Sequence, residues 1–317
     1  MRHFVRQDAR APVVPLGPRT QRQAAWIVNQ DTARRREVPS ESTRRRALRR
    51  TSTERRSDSV RSLAMQLLSN AHQGSGPTFV WLHGFTQSRN SAHQFRSILA
   101  GRFELLTFDL PGHGESSQIH ASLEETADLL VQSLPDEPVF LGGYSYGARV
   151  ALHVAVRHPE RVGQLVLLSA SRGIEDPLER MARERRDKQL ADRIGEIGVT
   201  AFLDEWLSQP MFSQLPIDPV ERAARSSDAV GLAESLRRSG TGTQGFLGPS
   251  IQKLPMRTLC VAGTSDTKFS TEALAIAELA PLGWAELLQG ASHAAHLEKP
   301  EECADVIMGY LTSASSS

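Results

Sequence analysis

The stretch Val139-Phe140-Leu141-Gly142-Gly143-Tyr144-Ser145-Tyr146-Gly147-Ala148-Arg149-Val150-Ala151-Leu152 decides how the chain is to be read. Val139–Gly142 is a short apolar run suited to a buried strand. Residues 148–157 carry a helical pattern that His158-Pro159 stops. Between them lies Gly143-x-Ser145-x-Gly147. A serine on so sharp a strand-to-helix turn projects its hydroxyl above the sheet, and the flanking glycines allow strained backbone and close neighbours. The helix N-terminus beside it favours negative charge developing nearby. The bare five-residue pattern is common by chance, so its weight comes from the strand before it and the helix after it.

Outward from that turn, apolar runs alternate with helical patterns. Thr78–Leu82 and Phe103–Leu110 read as strands on one side, with Ser91–Ala100 and Leu123–Leu134 as helices. On the other side Leu165–Leu168, Arg257–Ala262 and Ala285–Leu288 read as strands, with helices over Thr271–Leu279 and Pro300–Leu311. Such alternation implies βαβ units, hence an α/β fold whose mostly parallel, doubly wound sheet carries helices on both faces. Residues 174–250 break the rhythm. They are rich in charge and helix formers (Glu175–Gln189, Ala191–Trp206, Val220–Arg238), which predicts a helical lid inserted into one domain spanning 65–311, with 312–317 as a flexible tail.

Composition narrows the function classes. The chain has 317 residues, 39% of them hydrophobic, and no stretch approaches the roughly 18 uncharged apolar residues that cross a bilayer. Its two cysteines, Cys260 and Cys303, suggest neither a disulfide framework nor a zinc site. The formal charge of +1 conceals two unlike regions. Residues 1–64 hold 16 Arg, no Lys and six acids, a net +10, so residues 65–317 carry −9. No basic surplus for nucleic acid is left in the core domain. The leader cannot bury enough to fold alone, so it is expected to be disordered. It could be a transit peptide, an RNA- or membrane-binding arm, a regulatory tail, or an upstream extension before a start at Met65. Six acids and the lack of an early amphipathic helix argue against targeting.

A nucleophilic serine needs a base, and the base an orienting carboxylate, in the chain order Ser, Asp or Glu, His for this kind of turn. Asp266 follows the strand ending at Ala262-Gly263, and His293 follows the one ending near Gly290, so both fall where strand ends converge. Asp176 is the rival acid, disfavoured because it opens the lid. Of the ten histidines, His83 and His113 are expected to brace loops and His296 to be helix-start structure. An oxyanion site takes one backbone N–H from the residue after the serine and one from the loop after the first core strand, which points to Tyr146 and Phe85.

His83-Gly84-Phe85-Thr86, Asp109-Leu110-Pro111-Gly112-His113-Gly114, the serine turn and His293 together resemble the α/β-hydrolase fold. Finer stretches resemble one branch, the 2-succinyl-6-hydroxy-2,4-cyclohexadiene-1-carboxylate (SHCHC) synthases, MenH, of menaquinone biosynthesis. These are Gly143–Arg149, Ser169–Ile174, Arg183–Asp187, Phe202–Phe212 around Trp206 and Pro210, Gly231–Arg237, Gly240–Gln244 and Asp266–Phe269. The resemblance spans about residues 66–311, lid included. It implies a cytoplasmic lyase that uses neither metal nor organic cofactor and expels pyruvate from a tricarboxylate. Ser145, His293 and Asp266 would be its catalytic groups. Arg149, one helical turn from Ser145, would meet a substrate carboxylate. By position in the family motifs Arg183 and Arg225 are the other cationic contacts, with Tyr144 and Trp206 lining the pocket. Tyr146 stands where the family usually has Met or Leu, Ala148 where it has Gly, and Ser292 where a Gly usually precedes the histidine. Two rivals share these residues: a serine hydrolase of esters or C–C bonds, and a noncatalytic small-molecule binder. Oligomeric state is left open.

Overall fold

The computed structural model describes residues 67–216 and 218–313. The leader 1–64 and residues 314–317 lie outside them, so the expectations for those segments do too. Seven strands form one sheet: β1 (Asn70–Gln73), β2 (Thr78–Leu82), β3 (Glu104–Phe108), β4 (Val139–Tyr144), β5 (Val162–Leu168), β6 (Arg257–Gly263) and β7 (Gly283–Leu288), in the order β1-β3-β2-β4-β5-β6-β7. All neighbours pair parallel except β1 on β3. β1 escapes sequence reading because Asn70-Ala71-His72-Gln73 is a mostly exposed edge strand without apolar alternation.

Side-chain alternation in the central strands feeds two cores. Val80 and Leu82, Leu165 and Leu167, and Cys260 and Ala262 enter one cluster; Phe79 and Trp81, Val166 and Leu168, and Leu259 and Val261 enter the other. Strands buried on both faces read as continuous apolar runs, which is why these were legible. Each fully buried Leu or Phe contributes about 1.5–3 kcal/mol. Cys260 lies in the first cluster and Cys303 in the second, each a free, buried thiol.

The helix Tyr146–Arg157 is buried from Tyr146 through Ala155, between the sheet and the helix Leu123–Val131. The latter starts in a capping box. Ser122 Oγ accepts the Glu125 N–H at 3.2 Å, and the Glu125 carboxylate accepts the Ser122 N–H at 2.9 Å. Between β5 and β6 the described residues form helices and no strand. The expected break near residue 190 is absent, because Pro177–Leu207 runs through it and is interrupted instead at Gly198, whose φ of 75° and ψ of 164° suit glycine. The expected helix over Val220–Arg238 is two, Pro219–Ala223 and Ala229–Ser239, since Asp228 starts the second by accepting the Gly231 N–H. The last helix runs to Ser313, so residues 312 and 313, expected in the tail, are helical.

Candidate active site

Four loops converge beyond the carboxyl ends of β2, β4, β6 and β7. The chain moves from β2 outward to β3 and then crosses back to β4, so Ser145 stands where the winding reverses, the usual crevice of an open parallel sheet. Ser145 has φ 52° and ψ −103°, a conformation non-glycine residues rarely adopt. Its N–H donates to Leu168 O at 2.8 Å, so the β4–β5 ladder holds the strained residue in place. The glycines make room for the turn. A Cβ at Gly143 would lie 2.5 Å from the Gly147 carbonyl carbon, and one at Gly147 would lie 2.3 Å from Leu82 O.

His293 Nε2 lies 3.0 Å from Ser145 Oγ, and its Nδ1 lies 2.8 Å from Asp266 Oδ2. With Nδ1–H donated to the carboxylate, Nε2 is the acceptor that faces the hydroxyl. Asp266 is itself oriented, accepting the Phe269 N–H on Oδ1 at 3.3 Å as the cap of the helix Thr267–Leu279. The imidazole is 1% exposed and packed by Phe269, Tyr144 and Phe212, with ring centroids 4.4, 5.4 and 5.9 Å away. Asp176, the rival acid, caps the helix Pro177–Leu207 through the Glu179 N–H instead.

A cavity of about 500 Å³ opens over Ser145 and His293, lined by the sheet's loops on one side and the helical insertion on the other. Phe85 and Tyr146 both line it. Tyr146 opens its helix, so its N–H has no partner within that helix. Among the described residues neither N–H donates a loop or turn hydrogen bond.

Arg149 reaches the cavity from the first turn of the helix Tyr146–Arg157 and is 8% exposed. Its Nη1 donates to Gln244 Oε1 at 3.4 Å, and its guanidinium sits 5.5 Å from the Tyr146 ring centroid. Neither contact neutralises a charge, and burial brings its pKa down to about 10 against attraction from Tyr146. Arg183 also lines the cavity, with Nε 2.7 Å from the buried Asp187 Oδ1. Arg186 and Lys268, not singled out from sequence, stand exposed at the rim. Tyr144 and Trp206 line the wall, Trp206 edge-on to Phe85 at 5.2 Å. Burial pushes the Tyr144 phenol up.

Arg225 is the exception. Its Nη1 donates to Thr86 Oγ1 at 2.7 Å and its Nη2 lies 3.7 Å from Glu221 Oε1, which puts it under the Gly84–Gln87 turn and outside the cavity lining. Position in the family motifs alone pointed to the cavity, and the tertiary packing places it elsewhere.

His83 and His113 brace backbone, as expected from the sequence. His83 Nε2 accepts the Leu110 N–H at 3.0 Å, and His113 Nε2 accepts the Thr86 N–H at 3.3 Å, both acting only as neutral rings. Burial lowers their pKa values to about 4 and about 3. Sequence reading missed Ser169, at φ 50°, whose Oγ donates to His293 O at 2.9 Å; an ordinary serine after a strand gives no signal of that role. Among the described residues no three His, Cys, Asp or Glu side chains converge as metal ligands.

The sequence profile described as the alpha/beta hydrolase family matches residues 79–306. A Yersinia pseudotuberculosis protein named 2-succinyl-6-hydroxy-2,4-cyclohexadiene-1-carboxylate synthase is 32% identical over 266 residues, 80% of this chain and 94% of that one. The chain belongs to the SHCHC synthase branch of the alpha/beta hydrolase family. The structure of MenH from S. aureus superimposes with a TM-score of 0.73 at 28% identity, covering 80% of this chain and 100% of that one. A thermophilic esterase from Thermogutta terrifontis, at 23% identity, TM-score 0.66 and coverages of 78% and 93%, shares the fold alone.

Proposed function

We propose that the chain is an SHCHC synthase that eliminates pyruvate from 2-succinyl-5-enolpyruvyl-6-hydroxy-3-cyclohexene-1-carboxylate. The observation that carries this reading is a buried guanidinium, Arg149, with no carboxylate partner among the described residues, lining the same cavity as the Ser145–His293 pair. A cation taken out of water and left unpaired is costly, and a carboxylate of the substrate would offset that cost. Arg183 supplies a second positive group, oriented by Asp187.

In the proposed reaction Asp266 holds the His293 tautomer, and His293 takes the Ser145 proton as Ser145 removes the ring proton beside the succinyl ketone. The electron pair moves onto the ketone oxygen, which the Phe85 and Tyr146 N–H groups would stabilise. Its return through the ring double bond expels the enolpyruvyl oxygen as the enolate of pyruvate, whose methylene carbon takes up the proton held by His293 to give pyruvate. No metal or organic cofactor takes part, and the inserted helices serve as a lid that keeps the site dry. A small tricarboxylate is the partner this cavity suits, and an enzyme of this pathway works in the cytoplasm.

The 3.0 Å approach of His293 Nε2 to Ser145 Oγ also suits acyl transfer, which favours a serine hydrolase as the second reading. One assay separates them. Pyruvate release from the enolpyruvyl substrate, followed through lactate dehydrogenase and NADH, should far exceed turnover of p-nitrophenyl acetate. The opposite preference would make the chain a hydrolase. Binding without either turnover would make it a receptor.

A further inference from the structure

The loop that carries His293 is fastened at the residues on either side of it. One oxygen of Glu298 accepts the Ser292 N–H, and the other accepts both the Ser292 hydroxyl and, at 3.2 Å, the Ala294 N–H. Ser292 and His293 are 2% and 1% exposed, so these bonds are made where water does not compete. The same loop is tied to the lid. Met211 O, in the turn Pro210–Phe212, accepts the His293 N–H at 3.3 Å and lies 3.1 Å from Ser292 Oγ. Met211 and Phe212 also line the cavity, and the Phe212 ring packs edge-on against the imidazole.

We propose that Glu298 and Ser292 are positioning residues that hold His293 in reach of Ser145 and latch its loop to the lid turn at Met211. The proposal rests on His293 serving Ser145 as base. A serine hydroxyl has one proton for two acceptors here, Glu298 and the Met211 carbonyl. It can therefore pass its bond from the loop's own carboxylate to the lid as the turn seats. Glu298 needs both oxygens as acceptors. A glutamine in either amide orientation would set an NH₂ against the Ser292 or the Ala294 N–H and lose that bond.

The test is the rate at which a fluorophosphonate probe labels Ser145, measured across pH and beside pyruvate release. The probe reports activation of the serine whatever the natural substrate is. E298Q should label, and turn over substrate, about tenfold more slowly or worse, with KM within about threefold of the starting enzyme. The pH profile of labelling should move. S292A should fall about threefold, with S292T restoring most of the loss. The surface substitution E302Q should change none of these. Folded E298Q that labels at the original rate with an unmoved profile would overturn the proposal. So would a rise in KM at constant kcat. Should E298Q not fold, S292A decides, since an original labelling rate there refutes the latch. Labelling of the unsubstituted enzyme without pyruvate release would refute the proposed lyase reaction, while slowed labelling of E298Q would leave the latch standing.

Discussion

Replacing Arg149 with Met should push binding and stability in opposite directions. The guanidinium is 8% exposed, and its one side-chain hydrogen bond among the described residues is 3.4 Å long, to a neutral amide. Burial takes its pKa from 12.5 to about 10, which corresponds to a charging cost of order 3 kcal/mol in the unliganded protein. Methionine fills much of the same volume without that cost, so the melting temperature should hold or rise by a few degrees, as about 1 kcal/mol moves a domain of this size by roughly 2–4 °C. A substrate carboxylate meeting the guanidinium makes charge-assisted hydrogen bonds worth about 1.5–3 kcal/mol. Their loss should raise KM for pyruvate release about 10- to 150-fold. R149K, which keeps the charge but not the fork, should fall between. The assays are scanning fluorimetry and the coupled pyruvate measurement on the same preparations. A melting temperature that drops in step with activity would refute the reasoning, because it would make Arg149 a packing residue.

Asp266→Asn should lower kcat by roughly 10³-fold or more with little change in KM, since Asn can still cap the helix but favours the wrong imidazole tautomer; steady-state kinetics check it, and a drop below tenfold would remove Asp266 from the relay. Gly147→Ala should cost about 3 kcal/mol or more in urea unfolding, because its Cβ would sit 2.3 Å from Leu82 O, a backbone atom that cannot swing away. Stability should also fall with acid. His83, His113 and His296 have folded pKa values of about 4, 3 and 3, below the unfolded 6.5, with burial the largest cause in each. The unfolded chain therefore binds more protons in that window. Stability is full above pH 6.5 and declines as pH falls toward 4, at up to about 1.4 kcal/mol per pH unit for each histidine. Urea midpoints at pH 7.5 and 5.5 measure it, and equal values would contradict the buried-neutral assignment.

Much of the fold was legible because the central strands are buried on both faces, so apolar runs such as Thr78–Leu82 stand out without alternation. The polar edge strand Asn70–Gln73 carries no such signal. Helix breaks were misjudged where a single backbone conformation decides them, as at Gly198, or a single cap, as at Asp228. Within the site, Ser145 was marked by its own turn, and Asp266 and His293 by their strand ends. Arg225 was placed by motif alone and lies elsewhere, and Glu298 and Ser169 went unnoticed because they act on the loop of His293 through backbone groups and a neighbouring hydroxyl, which no sequence pattern names.

By itself the sequence determined what is local or periodic: the parallel sheet, the glycine-flanked serine turn, the placing of Ser145, Asp266 and His293 after the ends of three strands, and the helical character of the insertion. Sterics at Gly143 and Gly147 and alternation along the strands act between near neighbours, so they are written in spacing. Only the tertiary structure decided which arginine meets the cavity, which stays under a loop, and how the His293 loop is held to the lid. Those outcomes depend on desolvation and hydrogen-bond distances between residues as far apart as Arg149 and Gln244, or Met211 and Ser292, and no period in the chain encodes them.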